Sequence, residues 1–216
     1  MCAAAAPEFS PDCRLCPRLA RHLDEVRRNH PGYHARPVGL FGAARARLLI
    51  VGLAPGMHGA NRTGRPFTGD YAGILLYDTL HRFGFANRPV SVARGDGLRL
   101  VGCRITNAVK CLPPGNKPLP AEIKRCNAYL RQEIAELPRG AVILALGTVA
   151  HQAVLLALDV PRRRYPFRHG ALYRLPQGFT LHDSYHCSRY NTQTKRLTPG
   201  MFRAVFSQIV KHLNAN

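Results

Sequence analysis

The side chains of this sequence that could act on a polar ligand are spread over three loops. Asp70 closes the first loop, Asn107 and Asn116 belong to the second, and His186 begins the third. Together with the ring of Phe67 and several cations, they suit a planar polar ligand on a phosphate backbone, because aromatics stack, amides and imidazoles bind edges, and cations contact phosphate. The alternative for His186 is a structural role.

The first loop runs from Gly52 to Asp70, reads GLAPGMHGANRTGRPFTGD, and follows the apolar run Leu48 to Val51. It therefore leaves the carboxyl end of a predicted buried strand, which is where open α/β sheets bind ligands. Its five glycines and two prolines allow an irregular path close to a ligand. The same composition marks plain surface connections, but a loop of this length inside a compact domain is usually functional or disordered.

Four cysteines form two pairs that could share one metal site: Cys13 with Cys16, and Cys111 with Cys126. Four thiolates satisfy one zinc ion or one [4Fe-4S] cluster, and the spacing does not separate these two cases. Alternatively, Cys126 is an ordinary buried thiol on a helix. Three other cysteines are weaker candidates because of their positions at a chain end, inside a strand and inside a polar loop: Cys2, Cys103 and Cys187.

The chain is strongly basic, with 31 Lys and Arg against 12 Asp and Glu and a formal charge of +19. This charge predicts an anionic partner, and nucleic acid is the leading candidate, although a GC-rich genome also enriches arginine. A membrane is disfavoured, because the sequence shows no amphipathic basic helix and no apolar stretch of spanning length. The opening residues lack the pattern of a signal peptide, so we expect a reducing, cytoplasmic compartment, with residues 1–12 flexible.

Predicted strands alternate with predicted helices, and this order must position the three loops. Strands are predicted at residues 47–51, 98–107 and 141–147, with a hairpin at 171–175 and 179–185. Helices are predicted after Pro17, after Asp70, from Pro120, after the cap residue Thr148 as far as Leu158, and after the cap residue Thr198. We therefore expect one domain, residues 1–216, with three α/β/α layers and a short, mainly parallel sheet. The loops at 52–70, 107–118 and 186–194 would then converge on one sheet edge.

Three motifs carry a resemblance to a known family: GLAPGMHGANRTGRPFTGD, CLPPGNKP and HCSRYNTQT, in this order. Together with the paired cysteines, they resemble the iron-sulfur uracil-DNA glycosylases, most closely the family 5, or type B, branch. The resemblance spans the chain from Cys13 to the last helix. It implies the uracil-DNA glycosylase fold and hydrolysis of the N-glycosidic bond of uracil in DNA, at the start of base excision repair.

The same resemblance implies a wider set of substrates and a cofactor. Type B enzymes are expected to tolerate other deaminated or damaged bases, namely hypoxanthine, xanthine and ethenocytosine. A structural [4Fe-4S] cluster, rather than zinc, is implied on Cys13, Cys16, Cys111 and Cys126, without a redox step in the reaction. We also expect a monomer that associates with DNA in a prokaryotic cytoplasm and not with a membrane.

Residue roles follow from the resemblance as well. It implies that Asp70 orients water and stabilises an oxocarbenium-like sugar, that His186 donates a hydrogen bond to uracil O2, and that Asn116 assists in positioning the water. The implied substrate-binding residues, among which Phe67 stacks on the flipped base, are Gly52, Ala54, Gly56, Phe67 and Asn107. The implied DNA-binding residues of the third loop are Ser188, Arg189 and Asn191. Four further cations are expected to contact phosphate: Arg62, Arg65, Lys195 and Arg196.

Two positions bear on the type of enzyme. Leu53 stands where type A enzymes carry an acidic residue, which makes Asp70 the better carboxylate. Asn107 stands where type B enzymes usually carry a small apolar residue and type A enzymes an Asn. Because an amide supplies a donor and an acceptor, we expect a stronger preference for uracil than in a typical type B enzyme. Alternatively, Asn107 turns away and caps its strand.

A function of a different class fits the charge and the cysteines equally well. The chain could be a non-catalytic DNA-binding module with a four-cysteine metal or cluster site. The cations would then dominate a salt-dependent affinity, and Asp70 and His186 would matter little.

Overall fold

A mainly parallel sheet forms the middle layer of the computed structural model, which describes residues 8–215. Within these residues the strands are β1 (Phe41–Gly42), β2 (Leu48–Gly52), β3 (Cys103–Asn107), β4 (Val142–Leu146), β5 (Leu172–Arg174) and β6 (Thr180–Ser184). Their order across the sheet is β1-β3-β2-β4-β6-β5. The four central strands pair in parallel, whereas β1 and β5 pair antiparallel at the edges. The predicted hairpin is therefore confirmed.

Helices cover the sheet, and most of them begin where the sequence predicts. They are α1 (Pro17–Asn29), α2 (Ala60–Thr63), α3 (Tyr71–Arg82), α4 (Pro120–Ala135), α5 (Thr148–Ala157), α6 (Arg189–Gln193) and α7 (Pro199–Asn214). The side chains of Asp70 and Thr198 accept hydrogen bonds from the backbone and cap α3 and α7. Two short 3-10 turns, Pro114–Asn116 and Arg162–Arg164, lie in the connections.

The residues of β2 show how both faces of the sheet are buried. Leu48 and Ile50 pack with the side chains of α3 and α7, while Leu49 and Val51 pack with those of α4 and α5. Successive residues of a strand point to opposite faces, and all five residues of β2 are buried, as expected for a strand between two helical layers. The predicted three-layer α/β/α architecture is confirmed.

The helix α1 lies outside these layers, against the second loop. Its residues Leu19, Leu23 and Val26 pack with Val109 and with Tyr129 of α4 in a separate apolar cluster. This cluster fixes the amino-terminal helix to the loop that follows β3. The first and second halves of the predicted cysteine site are thereby brought to the same part of the protein.

Several elements differ from the sequence prediction. The strand predicted at 98–107 begins only at Cys103, because Gly102 has a positive φ of 60° and Leu100 forms an isolated bridge with Ala86. The connector at 30–44 contains the two-residue strand β1, and the first loop contains the one-turn helix α2. The helix α5 starts at Thr148 with Gly147 as its cap, so Thr148 is the first helical residue and not the cap.

Residues 1–12 were predicted to be flexible. Residues 1–7 lie outside the described part of the chain. Residues 8–12 are held against the fold: the ring of Phe9 packs edge-on against Tyr129, with centroids 5.8 Å apart, and Asp12 forms an ion pair with Arg36 at 3.0 Å. Over residues 8–215, no helix is long and apolar enough to cross a membrane.

Candidate active site

The three predicted loops meet at the carboxyl ends of β2, β3 and β6, around a cleft of about 350 Å³. This confirms their predicted convergence. Eight of the predicted residues line the cleft: Ala54, Gly56, Phe67, Asp70, Asn107, Asn116, His186 and Ser188. Two larger grooves, of about 830 and 790 Å³, lie elsewhere on the surface and contain none of these eight residues.

Asp70 stands at the amino end of α3 and uses its two carboxylate oxygens differently. Its Oδ1 accepts a hydrogen bond from the Gly73 N–H at 2.9 Å and so caps the helix. Its Oδ2 lies against Gly59, where an added Cβ would be 2.3 Å away, and near Gly56 in the cleft. Burial raises the pKa of Asp70 above its ordinary value of 3.8. One oxygen thus holds the helix while the other faces the glycines beside the cleft.

His186 enters the cleft from the third loop and stacks on Phe67. The two ring centroids are 5.8 Å apart and the rings are inclined by 27°. Burial lowers the pKa of His186 to about 4, so the imidazole is neutral at pH 7. A neutral imidazole retains one N–H, which can donate to a developing oxyanion. The side-chain amide of Asn191 donates to the His186 carbonyl at 2.8 Å and fixes the backbone behind the ring.

Phe67 is held in an unusual backbone conformation next to two glycines. Its φ of 53° lies in the left-handed region, which costs a non-glycine residue about 1–3 kcal/mol. A Cβ added to Gly52 would lie 2.6 Å from the Phe67 ring, and a Cβ added to Gly73 would lie 1.9 Å from the Phe67 carbonyl oxygen. Gly52 and Gly73 are therefore required for the position of this ring, and Gly52 supports the cleft without lining it.

Asn107 ends β3 directly beside Gly52, its partner in the parallel pairing with β2. The residue is 2 % exposed, and its Oδ1 has no hydrogen-bond partner within residues 8–215. The residue contributes to the lining of the cleft. A buried acceptor without a partner costs about 1–3 kcal/mol, so an N–H of a bound ligand would remove a cost that the free protein carries.

A buried ion pair fixes the end of β3 and was not predicted from the sequence. The Nζ of Lys110 donates to both carboxylate oxygens of Glu133, at 2.7 and 2.8 Å, to the carbonyl of Asn107 at 3.1 Å, and to the hydroxyl of Thr106. Lys110 is 1 % exposed. The signal in the sequence is a lysine set between apolar residues in AVKCL, since such a lysine needs a carboxylate partner.

Asn116 and Ser188 form the mouth of the cleft from opposite loops. Asn116 is exposed and has a positive φ of 56° in the 3-10 turn of the second loop. The hydroxyl of Ser188 accepts a hydrogen bond from the Asn191 N–H and begins α6. Both side chains are thus placed by turns at the ends of their loops.

Four of the predicted DNA-binding cations are exposed: Arg62, Arg189, Lys195 and Arg196. The guanidinium of Arg189 lies 5.2 Å from the ring centroid of Tyr71, and that of Arg196 lies 4.6 Å from the ring centroid of Tyr185. Such stacking orders a guanidinium without neutralising its charge. These cations can still contact phosphate at the edge that holds the cleft.

Arg65 occupies a different position from the one predicted. It is 5 % exposed, and its guanidinium binds both carboxylate oxygens of Asp96, at 2.6 and 3.0 Å. It also donates to the hydroxyls of Thr68 and Ser91, at 2.9 and 2.7 Å. The hydrogen bonds from Arg65 hold the pKa of Asp96 well below its usual range. Arg65 therefore connects the first loop to residues 91–96 inside the fold. The prediction that it contacts DNA phosphate is corrected.

The four paired cysteines line one small cavity between α1, the second loop and α4: Cys13, Cys16, Cys111 and Cys126. All four are free thiols. The Lys110 N–H donates to the Cys126 sulfur at 3.3 Å, and the Tyr129 hydroxyl donates to the Cys13 sulfur at 3.3 Å. Within residues 8–215, no group of three or more His, Cys, Asp or Glu is arranged to hold a single metal ion. The predicted quartet is brought together, but not as a compact site for one ion.

Comparisons with known proteins point to one family. Residues 39–211 match the model of the uracil DNA glycosylase superfamily. The type-5 uracil-DNA glycosylase of Thermus thermophilus is 50% identical over 201 residues, which cover 91% of each chain. That of Mycobacterium leprae is 44% identical over 223 residues, covering 97% of this chain and 96% of the relative.

A solved structure shows the same fold at low sequence identity. The crystal structure of wild-type SMUG2 from Pedobacter heparinus superimposes with a TM-score of 0.51 and 14% identity. The match covers 97% of this chain and 94% of that one. At this identity the likeness concerns the fold alone.

Proposed function

The chain belongs to the uracil-DNA glycosylase superfamily, and we propose that it removes uracil from DNA by hydrolysis of the N-glycosidic bond, the first step of base excision repair. The observation that carries this proposal is the cleft, in which a carboxylate, a neutral imidazole and an unpartnered amide oxygen meet at one sheet edge. The type-5 relatives, which match nearly the whole chain, support the same reaction.

Two charges develop as the glycosidic bond breaks, and the cleft has a group for each. Positive charge grows on the sugar, and the Oδ2 of Asp70 is the carboxylate oxygen free to face it, because Oδ1 is used by the Gly73 N–H. Negative charge grows on the departing uracil, and the N–H of neutral His186 donates to its O2. Water completes the reaction, with Asp70 and Asn116 orienting it at the mouth of the cleft.

The base itself would be held by the floor of the cleft. Phe67 offers the aromatic surface for the flipped base, and Ala54 and Gly56 leave room beside it. The Oδ1 of Asn107 would accept the uracil N3–H, which satisfies an acceptor that is otherwise buried without a partner. A flipped uracil would thus be hydrogen-bonded to Asn107, the last residue of β3.

The test is excision from a labelled duplex that contains a single uracil, followed by alkali, which cleaves the strand at the abasic site. Strand scission that exceeds a uracil-free control supports the glycosylase. Tight, salt-dependent binding to the same duplex without scission would identify a non-catalytic DNA-binding module instead. Duplexes with hypoxanthine, xanthine or ethenocytosine in place of uracil define the wider spectrum.

We predict that Asn107 sets the preference for uracil. Asn107→Ala should lower the single-turnover rate on uracil by about 10- to 100-fold, the range of a lost base-edge contact, and should lower the rate on hypoxanthine far less. Asn116→Ala is the matched control, because it removes an amide from the mouth and should slow both bases alike. Equal rates of the unaltered protein on uracil and hypoxanthine, opposite a common partner, would refute this role.

A [4Fe-4S] cluster is the cofactor that the four cysteines fit best. Their thiols are unpaired, and two of the sulfurs accept hydrogen bonds of the kind that stabilise thiolates. One zinc ion would hold four sulfurs at about 2.3 Å from a single centre, whereas a cluster binds each thiolate to a separate iron. The resemblance to the iron-sulfur branch of the family supports the cluster. When bound, it would cross-link α1, the second loop and α4 and take no part in bond cleavage.

We predict that Cys126→Ala abolishes a broad absorbance near about 400 nm and lowers the thermal unfolding midpoint. Cys103→Ala is the control, because Cys103 is also buried but lies in β3, outside the cavity of the quartet. It should retain the absorbance. A colourless protein that contains stoichiometric zinc would contradict the cluster.

We further propose that residues 1–216 act as one domain and as a monomer on DNA in a prokaryotic cytoplasm. The net charge of +19 supports DNA as the partner, and free thiols in residues 8–215 suit a reducing compartment. Light scattering on the purified protein, with and without a DNA duplex, tests the monomer.

A further inference from the structure

Positive charge is concentrated in the last part of the chain. Residues 160–216 contain ten Lys and Arg but a single carboxylate, Asp183. Asp183 is fully buried. Earlier in the chain many surface arginines form ion pairs, such as Arg82 with Asp78 and Arg131 with Asp159. Within residues 8–215, no salt bridge involves a Lys or Arg after residue 159.

Four of these cations belong to one segment, which we call the basic segment and define as residues 162–168. Its exposed arginines include Arg163, Arg164 and Arg168. Nothing in the proposed reaction uses them. The contribution of these arginines to phosphate affinity depends on whether the backbone that carries them is mobile or fixed, because fixed charges bind phosphate at a smaller entropic cost.

Buried hydrogen bonds fix the backbone of the basic segment to the end of β6. The ring of His151 bonds Asp183 Oδ1 through Nδ1 at 2.7 Å and donates to the Tyr165 carbonyl through Nε2 at 2.8 Å. The other oxygen of Asp183 accepts from the Arg168 N–H at 3.4 Å. The single carboxylate of this part of the chain therefore anchors the segment instead of neutralising its surface.

His169, the residue after the basic segment, connects the segment to the start of the third loop. The Nδ1 of His169 accepts a hydrogen bond from the Tyr185 N–H at 3.1 Å, and the two rings stack with centroids 4.9 Å apart. Tyr185 immediately precedes His186. The position of the segment relative to His186 is thus set by a short chain of contacts.

The basic segment and Arg189 lie on different sides of the third loop. The segment is attached to α5 through His151, whereas Arg189 lies over Tyr71, the first residue of α3. The helices α3 and α5 cover opposite faces of the sheet. Cations therefore flank the third loop on both sides at the edge that holds the cleft.

We propose that the basic segment is a second phosphate-binding element that holds the DNA backbone on the α5 side of the cleft. The third loop, with Arg189, holds it on the α3 side. This inference rests on the proposed function as a DNA glycosylase. A strand held on both sides of the flipped nucleotide would be bound more tightly without a change in the chemical step, because these arginines would contact phosphate and not the reacting atoms.

The test replaces Arg163, Arg164 and Arg168 together by Gln and measures affinity for a uracil-free duplex by fluorescence anisotropy at several salt concentrations. We expect binding at least about tenfold weaker near physiological salt, and a plot of log K against log salt whose slope is smaller by about 2–3, since each phosphate contact contributes about 0.9. The single-turnover rate on a uracil duplex at saturating enzyme should stay within about twofold, as expected for uniform binding.

The control removes the same charge from the opposite end of the sheet with R139Q, R174Q and K211Q, all three of which are exposed. An equal loss of affinity in the control would show a general effect of net charge and overturn the proposal, as would an unchanged salt slope in the first variant. Replacement of the three arginines by Lys should restore the slope. If the unaltered protein binds DNA but does not excise uracil, the proposed function fails while the salt slopes still decide on the segment.

Discussion

Asp70→Asn should lower the single-turnover rate of uracil excision by about 10²–10⁴-fold, the range for a positioned acid or base. The substitution keeps the shape of the side chain and removes the charge that would face the sugar. Asn is as good a helix cap as Asp, so the hydrogen bond from the Gly73 N–H and the start of α3 should persist. Measured at saturating enzyme, the rate reports the chemical step and not DNA affinity.

The pH dependence of this effect has a definite sign. Burial raises the pKa of Asp70 above 3.8, and the reaction needs the ionised form, so the rate should rise with pH through a limb whose midpoint lies above 3.8. Asp70→Asn should lack this limb. A rate of the Asn variant within tenfold of the unaltered protein would exclude Asp70 as the group that stabilises the sugar.

The stability of the folded protein should fall, rather than rise, as the pH increases through the pKa of Asp70. Because the folded-state pKa of Asp70 is raised, the folded protein binds the proton more tightly than the unfolded chain, and stability falls as the pH rises through that pKa. At neutral pH the charged carboxylate therefore destabilises the fold. Asp70→Asn should unfold at an equal or higher temperature at pH 7, and the difference should shrink as the pH falls toward 3.8. Circular dichroism melts at several pH values check this.

The convergence of the three loops could be predicted because it follows from the alternation of strands and helices. Once β2, β3 and β6 are recognised as parallel strands, their carboxyl ends share one edge, and Asp70, Asn107 and His186 must lie near it. The cap residue Thr198 and the start of a helix after Asp70 were also predicted, since short polar side chains before an apolar helical pattern mark helix starts.

The roles of individual charged residues could not be predicted from the order of strands and helices. Arg65 lies in the same loop as Arg62, yet one is buried against Asp96 and the other is exposed. The difference arises from Asp96, a residue 31 positions away in a polar turn with no periodic pattern. The pairing of Lys110 with Glu133 likewise depends on how α4 packs on β3. Long-range ion pairs of this kind are fixed by packing, which local sequence does not specify.

Three carboxylates of this basic protein are used inside the fold. Asp96, Glu133 and Asp183 are each bound to a cation or a histidine. Because Asp183 is the single Asp or Glu of residues 160–216, its burial leaves that stretch without an exposed acidic side chain. This distribution of charge favours DNA binding.

His186→Ala should lower the single-turnover rate by about 10²–10³-fold, as for loss of one donor to an oxyanion. His186→Gln, which restores an N–H donor, should recover part of the rate. His22→Ala is the control, because His22 lies on α1 away from the cleft. Protein folding is checked by thermal melts, since His186 also packs on Phe67.

The pH profile separates a neutral donor from a charged acid at this position. The pKa of His186 is lowered to about 4 by burial, so its protonation does not change between pH 5.5 and 8 and the rate should be flat across the ordinary histidine pKa of 6.5. If His186 acted as an imidazolium, the rate would fall as the pH rises through its pKa, and His186→Gln would remove that fall. Apart from the limb that belongs to Asp70, a flat profile for the unaltered protein, with an equally flat but lower profile for the Gln variant, is the result that a neutral ring predicts.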